Sequence, residues 1–176
     1  MAAVTRAPVL VAFVDLTRFA AHTEDMDELE LAATVDAYYE QVDGIVRAAR
    51  GRVVKFIGDA ALIVFPAEGA DAGVRALSEL KRTVDAFMAG RGWPCRLMAK
   101  AHFGPVAAGD FGARDDKRYD VLGKTVNTAA RLETTGIALS AEAFRQLNPD
   151  TRKDFKKHTP PITYIRLEDS RPRRRS

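Results

Sequence analysis

The sequence predicts an α+β fold of the ferredoxin-like kind, βαββαβ with additions, in which an antiparallel sheet carries helices on one face. Three observations predict it. The run "PVLVAFVDL" is apolar, β-branched and stopped by a charge; two long stretches carry apolar residues every three or four positions; and between those stretches lies "VVKFIGDAALIVF", two apolar runs joined by Gly58-Asp59.

The elements follow in order. "PVLVAFVDL" reads as a buried strand ending at Asp15, followed by a loop. From Glu28 to Arg50 the residues Leu31, Val35, Tyr38, Val42, Ile45 and Ala49 make the stripe of an amphipathic helix, which Gly51 ends. Gly58-Asp59 is a compact hairpin turn. A second helix runs from about Gly69 to Met88 with Val74, Leu77, Val84 and Phe87 inward. "CRLMAKAHFGPVAAGDF" reads as strand, Gly-Pro turn, strand. "RYDVLG" is a short strand, Val126 to Leu132 and Ala141 to Leu147 are short helices, and "ITYIRL" closes the sheet.

Length and composition bound the function. At 176 residues the chain fits one domain, expected over 1–170, with a basic tail at 171–176. With 47% hydrophobic and 29% charged residues it has the composition of a folded globular protein. Four arginines at 171, 173, 174 and 175 account for more than the net charge of +3, leaving the rest near −1. A broad nucleic-acid surface is therefore not expected, and the arginine run reads as a solvated end. A single cysteine, Cys95, excludes an intrachain disulfide, and "VLVAFV" is too short to span a bilayer. A cytoplasmic protein with no integral membrane segment is the expectation.

Chemistry-bearing residues stand at the ends of these elements. Asp15 lies where a buried strand gives way to a loop and Asp59 at a hairpin tip, and a ferredoxin-like sheet sets the first strand beside the hairpin, so the two carboxylates can converge. Such a pair suits hard divalent cations that share their coordination with substrate phosphates. "GKT" at 123–125 resembles the end of a P-loop, but Arg118 stands where that motif requires its first glycine. Three scattered histidines and one cysteine offer no zinc or nucleophile constellation. Asn127 and Arg131 are four apart on one helix face, with only small residues between them in "NTAAR".

Three blocks, "FVDLTRF", "KFIGDAALIVF" and "RYDVLGKTVNTAARLE", stand in an order and spacing that resembles the catalytic domain of class III adenylyl and guanylyl cyclases, from about Val9 to Leu167. The resemblance implies an activity: conversion of ATP to cyclic AMP and pyrophosphate by attack of the 3′ hydroxyl on the α-phosphate. It implies that Asp15 and Asp59 hold two magnesium ions, with manganese able to substitute. It also implies that Lys55 and Asp120 read the purine, that Asn127 orients the ribose and that Arg131 stabilises charge on the α-phosphate. It implies further that the loop around Phe19 wraps the triphosphate and that Lys156 or Lys157, with Lys157 preferred, supplies a triphosphate contact near the closing strand. The implied assembly is a head-to-tail homodimer with shared sites that acts in signal transduction; its control is left open between a regulatory protein partner, a pH or ion effect, expression level and a further portion of a longer chain.

The residue chemistry agrees with that assignment. Lysine as donor and aspartate as acceptor match the ring nitrogen and exocyclic amine of adenine, and guanine presents the reverse pattern, so ATP is expected over GTP. A guanylyl or relaxed-specificity cyclase, or a nucleotide-binding dimerisation module, is the alternative. "DLTRFAA" departs from the family pattern by placing Arg18 and Ala20 where glycine and Thr or Ser are usual, so Arg18 either crowds the triphosphate or adds a contact to it.

Overall fold

A computed structural model describes residues 3–159 and 162–170. The tail arginines expected to form a solvated end lie outside the described residues. β1 (Thr5–Leu16), α1 (Phe19–Thr23), α2 (Glu28–Ala48), β2 (Arg52–Ile57), β3 (Ala60–Pro66), α3 (Ala70–Gly90) and β4 (Leu97–Ala113) come first. β5 (Asp116–Leu122), α4 (Lys124–Arg131), β6 (Ile137–Ser140), α5 (Ala141–Arg145), α6 (Pro149–Arg152), β7 (Phe155–His158) and β8 (Thr163–Arg166) follow. The sheet order is β2-β3-β1-β4-β6-β8-β7, with β5 paired to β4 outside that row. β1, α2, β2, β3, α3 and β4 alone complete the βαββαβ core, so "ITYIRL", which contains β8, is an addition beyond it.

Local chemistry explains the elements. The Asp27 side chain caps α2 by accepting from the Leu29 and Glu30 amides at 3.0 and 3.1 Å. The buried stripe of α2 is Thr34, Tyr38, Val42 and Val46, a strict four-residue spacing slightly rotated from the expected one. The helix ends through Arg50, whose φ of 58° is left-handed, and Gly51 N–H returns to Val46 O at 2.8 Å. Gly51 serves packing instead: a Cβ there would stand 2.5 Å from the Phe65 ring.

Two expectations are corrected. "CRLMAKAHFGPVAAGDF" contains no Gly-Pro turn; β4 runs unbroken through Gly104 and Pro105, which pair with Val9 and Pro8 of β1. The two prolines face each other, a position at which an antiparallel ladder points both amide groups outward, so neither ring costs a bond of this pair. Helices also cover both faces. Leu10, Ala12, Val14 and Leu16 of β1 are buried with α2 and α3, whereas Val11 packs with Val106, Val121 and Ala129 of α4 in a second cluster on the opposite face. No helix among the described residues is long and apolar enough to cross a membrane.

Candidate active site

Strand alternation puts Val9, Val11, Phe13 and Asp15 on the face that α4 shares. The β2–β3 hairpin pairs Ala61 with Val14, which delivers its tip, Gly58-Asp59, to the end of β1. Gly58 takes a φ of 61°, a conformation that glycine adopts without penalty. The Leu16 amide then donates to both carboxylates, to Asp15 Oδ1 at 2.8 Å and to Asp59 Oδ2 at 3.2 Å. Burial first, and contact with Asp15 second, push the Asp59 carboxyl up to about 6.

Two carboxylates brought together with no ion-pair partner among the described residues are a donor set for a divalent cation. Among the described residues no group of three or more His, Cys, Asp or Glu forms a closed metal cage. A pair of carboxylates with its other positions open fits magnesium, which keeps waters and binds substrate phosphates.

The raised Asp59 value has a consequence for stability. The unfolded carboxyl titrates near 4, and the folded one binds its proton more tightly, at about 6. The folded state therefore loses stability as pH rises from about 4 to about 6 and does not regain it above. Asp59→Asn in chelator-treated protein is expected to melt higher than the parent at pH 8, with the gap narrowing at pH 4.5. A gap that is absent or widens on acidification would contradict the raised Asp59 carboxyl.

Lys55 Nζ meets Asp120 Oδ2 at 2.6 Å. β2 and β4 are three strand spacings apart, about 14 Å, so β5 reaches β2 only because the β4–β5 ribbon arches over the face. Arg52 reinforces the crossing, its guanidinium 3.6 Å from the centre of the Tyr119 ring. Asp120 Oδ1 accepts from the Val121 amide at 2.8 Å, so the carboxylate is oriented from both oxygens.

Thr125 and Ala129 are buried and seat α4, with Thr125 Oγ1 donating to Pro105 O at 2.6 Å. That orientation leaves Asn127 and Arg131 exposed, and among the described residues neither side chain has a hydrogen bond or ion pair. Among the described residues no hydrogen bond or ion pair joins them to the aspartate pair or to Lys55 and Asp120. Two sizeable cavities, of about 560 and 670 Å³, lie at the start of α4 and between α2 and α3, and no candidate residue lines either. The single chain thus presents the expected chemistry in separate pieces.

Packing and register place the remaining candidates. Phe19 is half-buried and packs against the core, with its ring centre 6.3 Å from that of Trp93, so its side chain anchors the loop after β1. Arg18, exposed, holds a φ of 60°, the left-handed conformation natural to glycine. Lys157 pairs with Tyr164, which stacks on Phe144 on the α2–α3 face, away from Asp15. Lys156 is the lysine of the aspartate face: a single cross-strand row runs Phe13, Lys100, Ala138, Ile165, Lys156.

Sequence reasoning missed three contributors. Lys100 Nζ donates to Ala130 O at 3.2 Å and so caps the end of the helix that carries Arg131. Tyr38 Oη donates to Asp59 O at 3.0 Å, and Tyr39 Oη donates to Gly58 O. Burial raises both phenols above their ordinary range, with Asp59 adding to the shift, so they remain donors at neutral pH. The available signals were a lysine inside an otherwise apolar strand and a second aromatic beside the one that the stripe of α2 requires.

The chain matches the family model for the adenylate and guanylate cyclase catalytic domain over residues 1–166. It is 28% identical over 137 residues to adenylate cyclase 1 of Rhizobium meliloti (strain 1021), covering 73% of this chain and 21% of that protein. It is 31% identical over 140 residues to human atrial natriuretic peptide receptor 2, covering 74% of this chain and 13% of that one. The chain thus spans about a fifth or less of the length of these relatives. Among solved structures, the adenylyl cyclase CyaB from P. aeruginosa superposes with a TM-score of 0.83 at 20% identity, covering 97% of this chain and 98% of that one. The catalytic core of a rhodopsin-guanylyl cyclase with converted specificity, in complex with ATPalphaS, superposes with a TM-score of 0.78 at 26% identity over 93% and 97%.

Proposed function

The chain belongs to the adenylate and guanylate cyclase catalytic domain family, and from that premise we propose that it converts ATP to cyclic AMP and pyrophosphate at sites shared between two copies. The relatives include cyclases of both bases, so the choice of ATP rests on this chain's own residues. The observation that carries it is the Lys55–Asp120 contact at 2.6 Å. Lysine brings three donors and spends one on Asp120, leaving others for the acceptor nitrogen of adenine; each Asp120 oxygen keeps a free lone pair for the exocyclic amine. Guanine turns a donor toward the lysine and an acceptor toward the carboxylate, and unmatched buried polar groups disfavour it by about 10- to 1,000-fold.

The remaining roles follow from chemistry. Asp15 and Asp59 would hold two magnesium ions, which, when bound, neutralise phosphate charge and favour ionisation of the 3′ hydroxyl. The 3′ hydroxyl gives its proton to solvent water and its oxygen attacks the α-phosphorus; the O3′–P bond forms as the bond to the bridging oxygen breaks, and pyrophosphate leaves. Asn127 holds the ribose so that this oxygen is in line, and Arg131 donates to the α-phosphate oxygens as their charge grows. The backbone after β1 faces the triphosphate, with Arg18 keeping the path a glycine would give and offering an exposed guanidinium. Lys156, on the face of Asp15, takes the lysine role that the family pattern gives to this region.

A shared site fits the separation of the pieces. Asn127 and Arg131 are exposed and make no side-chain hydrogen bond or ion pair among the described residues, and a second copy related by a two-fold axis supplies two equivalent sites. The experiment is direct. Purified dimer with ATP and magnesium or manganese is expected to accumulate cyclic AMP and pyrophosphate in equal amounts, and to form cyclic GMP at least about tenfold more slowly from GTP. ATP bound without product by a protein shown to be dimeric would make it a binding module, and equal use of GTP would remove the purine assignment.

A further inference from the structure

Both carbonyls of the hairpin tip that carries Asp59 are held by α2. Tyr38 and Tyr39 are neighbours on the helix, so their side chains leave it about 100° apart. Tyr38 is fully buried and donates to Asp59 O at 3.0 Å. Tyr39 lies nearer the surface, stacks on Phe56 with ring centres 3.8 Å apart, and donates to Gly58 O. Those carbonyls belong to the two peptide planes on either side of the Asp59 Cα. Peptide units are rigid, so fixing both planes fixes φ and ψ at Asp59 and hence the direction of its Cα–Cβ bond, which carries the carboxylate. The carboxylate faces Asp15 across the shared Leu16 amide, and repulsion between like charges acts to swing a two-residue tip outward.

Resting on the cyclase reading of this site, we infer that Tyr38 and Tyr39 are positioning residues for the reaction: their hydroxyls set the Asp59 carboxylate against Asp15 in the spacing that a divalent cation needs. The rings serve packing and the hydroxyls serve aim, which makes the two roles separable. Tyr→Phe keeps the burial of Tyr38 and the stack of Tyr39 and removes only the donor.

The test uses Tyr38→Phe, Tyr39→Phe and the double variant of the full chain, with two readouts. In chelator-treated protein, hydrogen exchange at the Leu16 amide is compared with that at Ala12, deeper in the same strand. Each lost hydroxyl is expected to speed Leu16 relative to Ala12 by about 2- to 10-fold, the usual worth of one hydrogen bond. In turnover, the magnesium concentration for half-maximal rate is expected to rise by a similar factor, with the KM for ATP at saturating magnesium unchanged. Leu16 exchange that tracks Ala12, or an unchanged magnesium requirement in active variants, overturns the inference and leaves the hydroxyls as packing supports. Tyr39→Phe, at the less buried position, keeps the test available if the Tyr38 variant does not fold. A parent that forms no cyclic nucleotide removes the cyclase reading, while the exchange comparison still decides whether the tyrosines hold the tip.

Discussion

Mixing Asp59→Ala and Arg131→Ala chains is expected to restore roughly a quarter of the parent's turnover, although each variant alone is nearly inactive. On the proposed mechanism, losing Asp59 removes half of the carboxylate pair and losing Arg131 removes the cation assigned to the growing phosphate charge, and each change is expected to cost on the order of 10²- to 10³-fold or more. In a mixed dimer one site inherits both lesions. The other takes its aspartates from the Arg131→Ala chain and its arginine from the Asp59→Ala chain, and is whole. Free exchange of equal amounts makes about half the dimers mixed, with one working site in two, hence the quarter. The structure makes this a sharp experiment, because Arg131 is exposed and without a side-chain partner among the described residues, so its loss leaves no orphaned group in the fold. Exchange can be verified with two differently tagged chains. Recovery absent despite verified exchange would place Asp59 and Arg131 in the same chain's site.

The βαββαβ core was readable because each element declares its period. β1 is a continuous apolar run, α2 and α3 carry helical stripes, and Gly58-Asp59 punctuates two apolar strands. The additions were less readable for physical reasons. β6, "IALS", is buried at all four positions and too short to show alternation, and β7, "FKKH", is an edge strand with three exposed polar residues. The unbroken β4 was hidden by Gly104-Pro105, a turn signal in isolation that Pro8 renders harmless only once the partner strand is known.

The site divides in the same way. Asp15, Asp59, Asn127 and Arg131 stand at strand ends, a tip and an exposed helix face, where charges without a core role are visible in the sequence. Convergence on the Leu16 amide, the arch that brings Asp120 to Lys55, and the choice between Lys156 and Lys157 depend on register. A one-residue slip in a strand exchanges its faces, and the register of β7 is set by pairing with β8, which nothing local announces. Tyr39 was obscured by its neighbour, since one tyrosine is enough to complete the stripe of α2.

Exchanging donor and acceptor at the purine pair is expected to turn base preference toward GTP. Lys55→Glu with Asp120→Cys presents an acceptor where guanine offers ring and exocyclic N–H donors, and removes the carboxylate that would face the guanine carbonyl oxygen. The ratio of kcat/KM for ATP to that for GTP should fall by at least about tenfold, and by up to about 1,000-fold if both contacts are fully desolvated in the complex. The 2.6 Å contact also predicts how the two changes combine. Lys55→Glu alone sets two carboxylates side by side beneath the β4–β5 ribbon, without the lysine that joined β2 to β5, so the single variant should be less stable than the double, which relieves the repulsion. Melting curves of Lys55→Glu and of the double variant test the geometry, and initial rates with the two nucleotides test the chemistry. A folded double variant with the parent's ATP-to-GTP ratio would separate Lys55 and Asp120 from purine recognition and leave their contact as a brace between two strands.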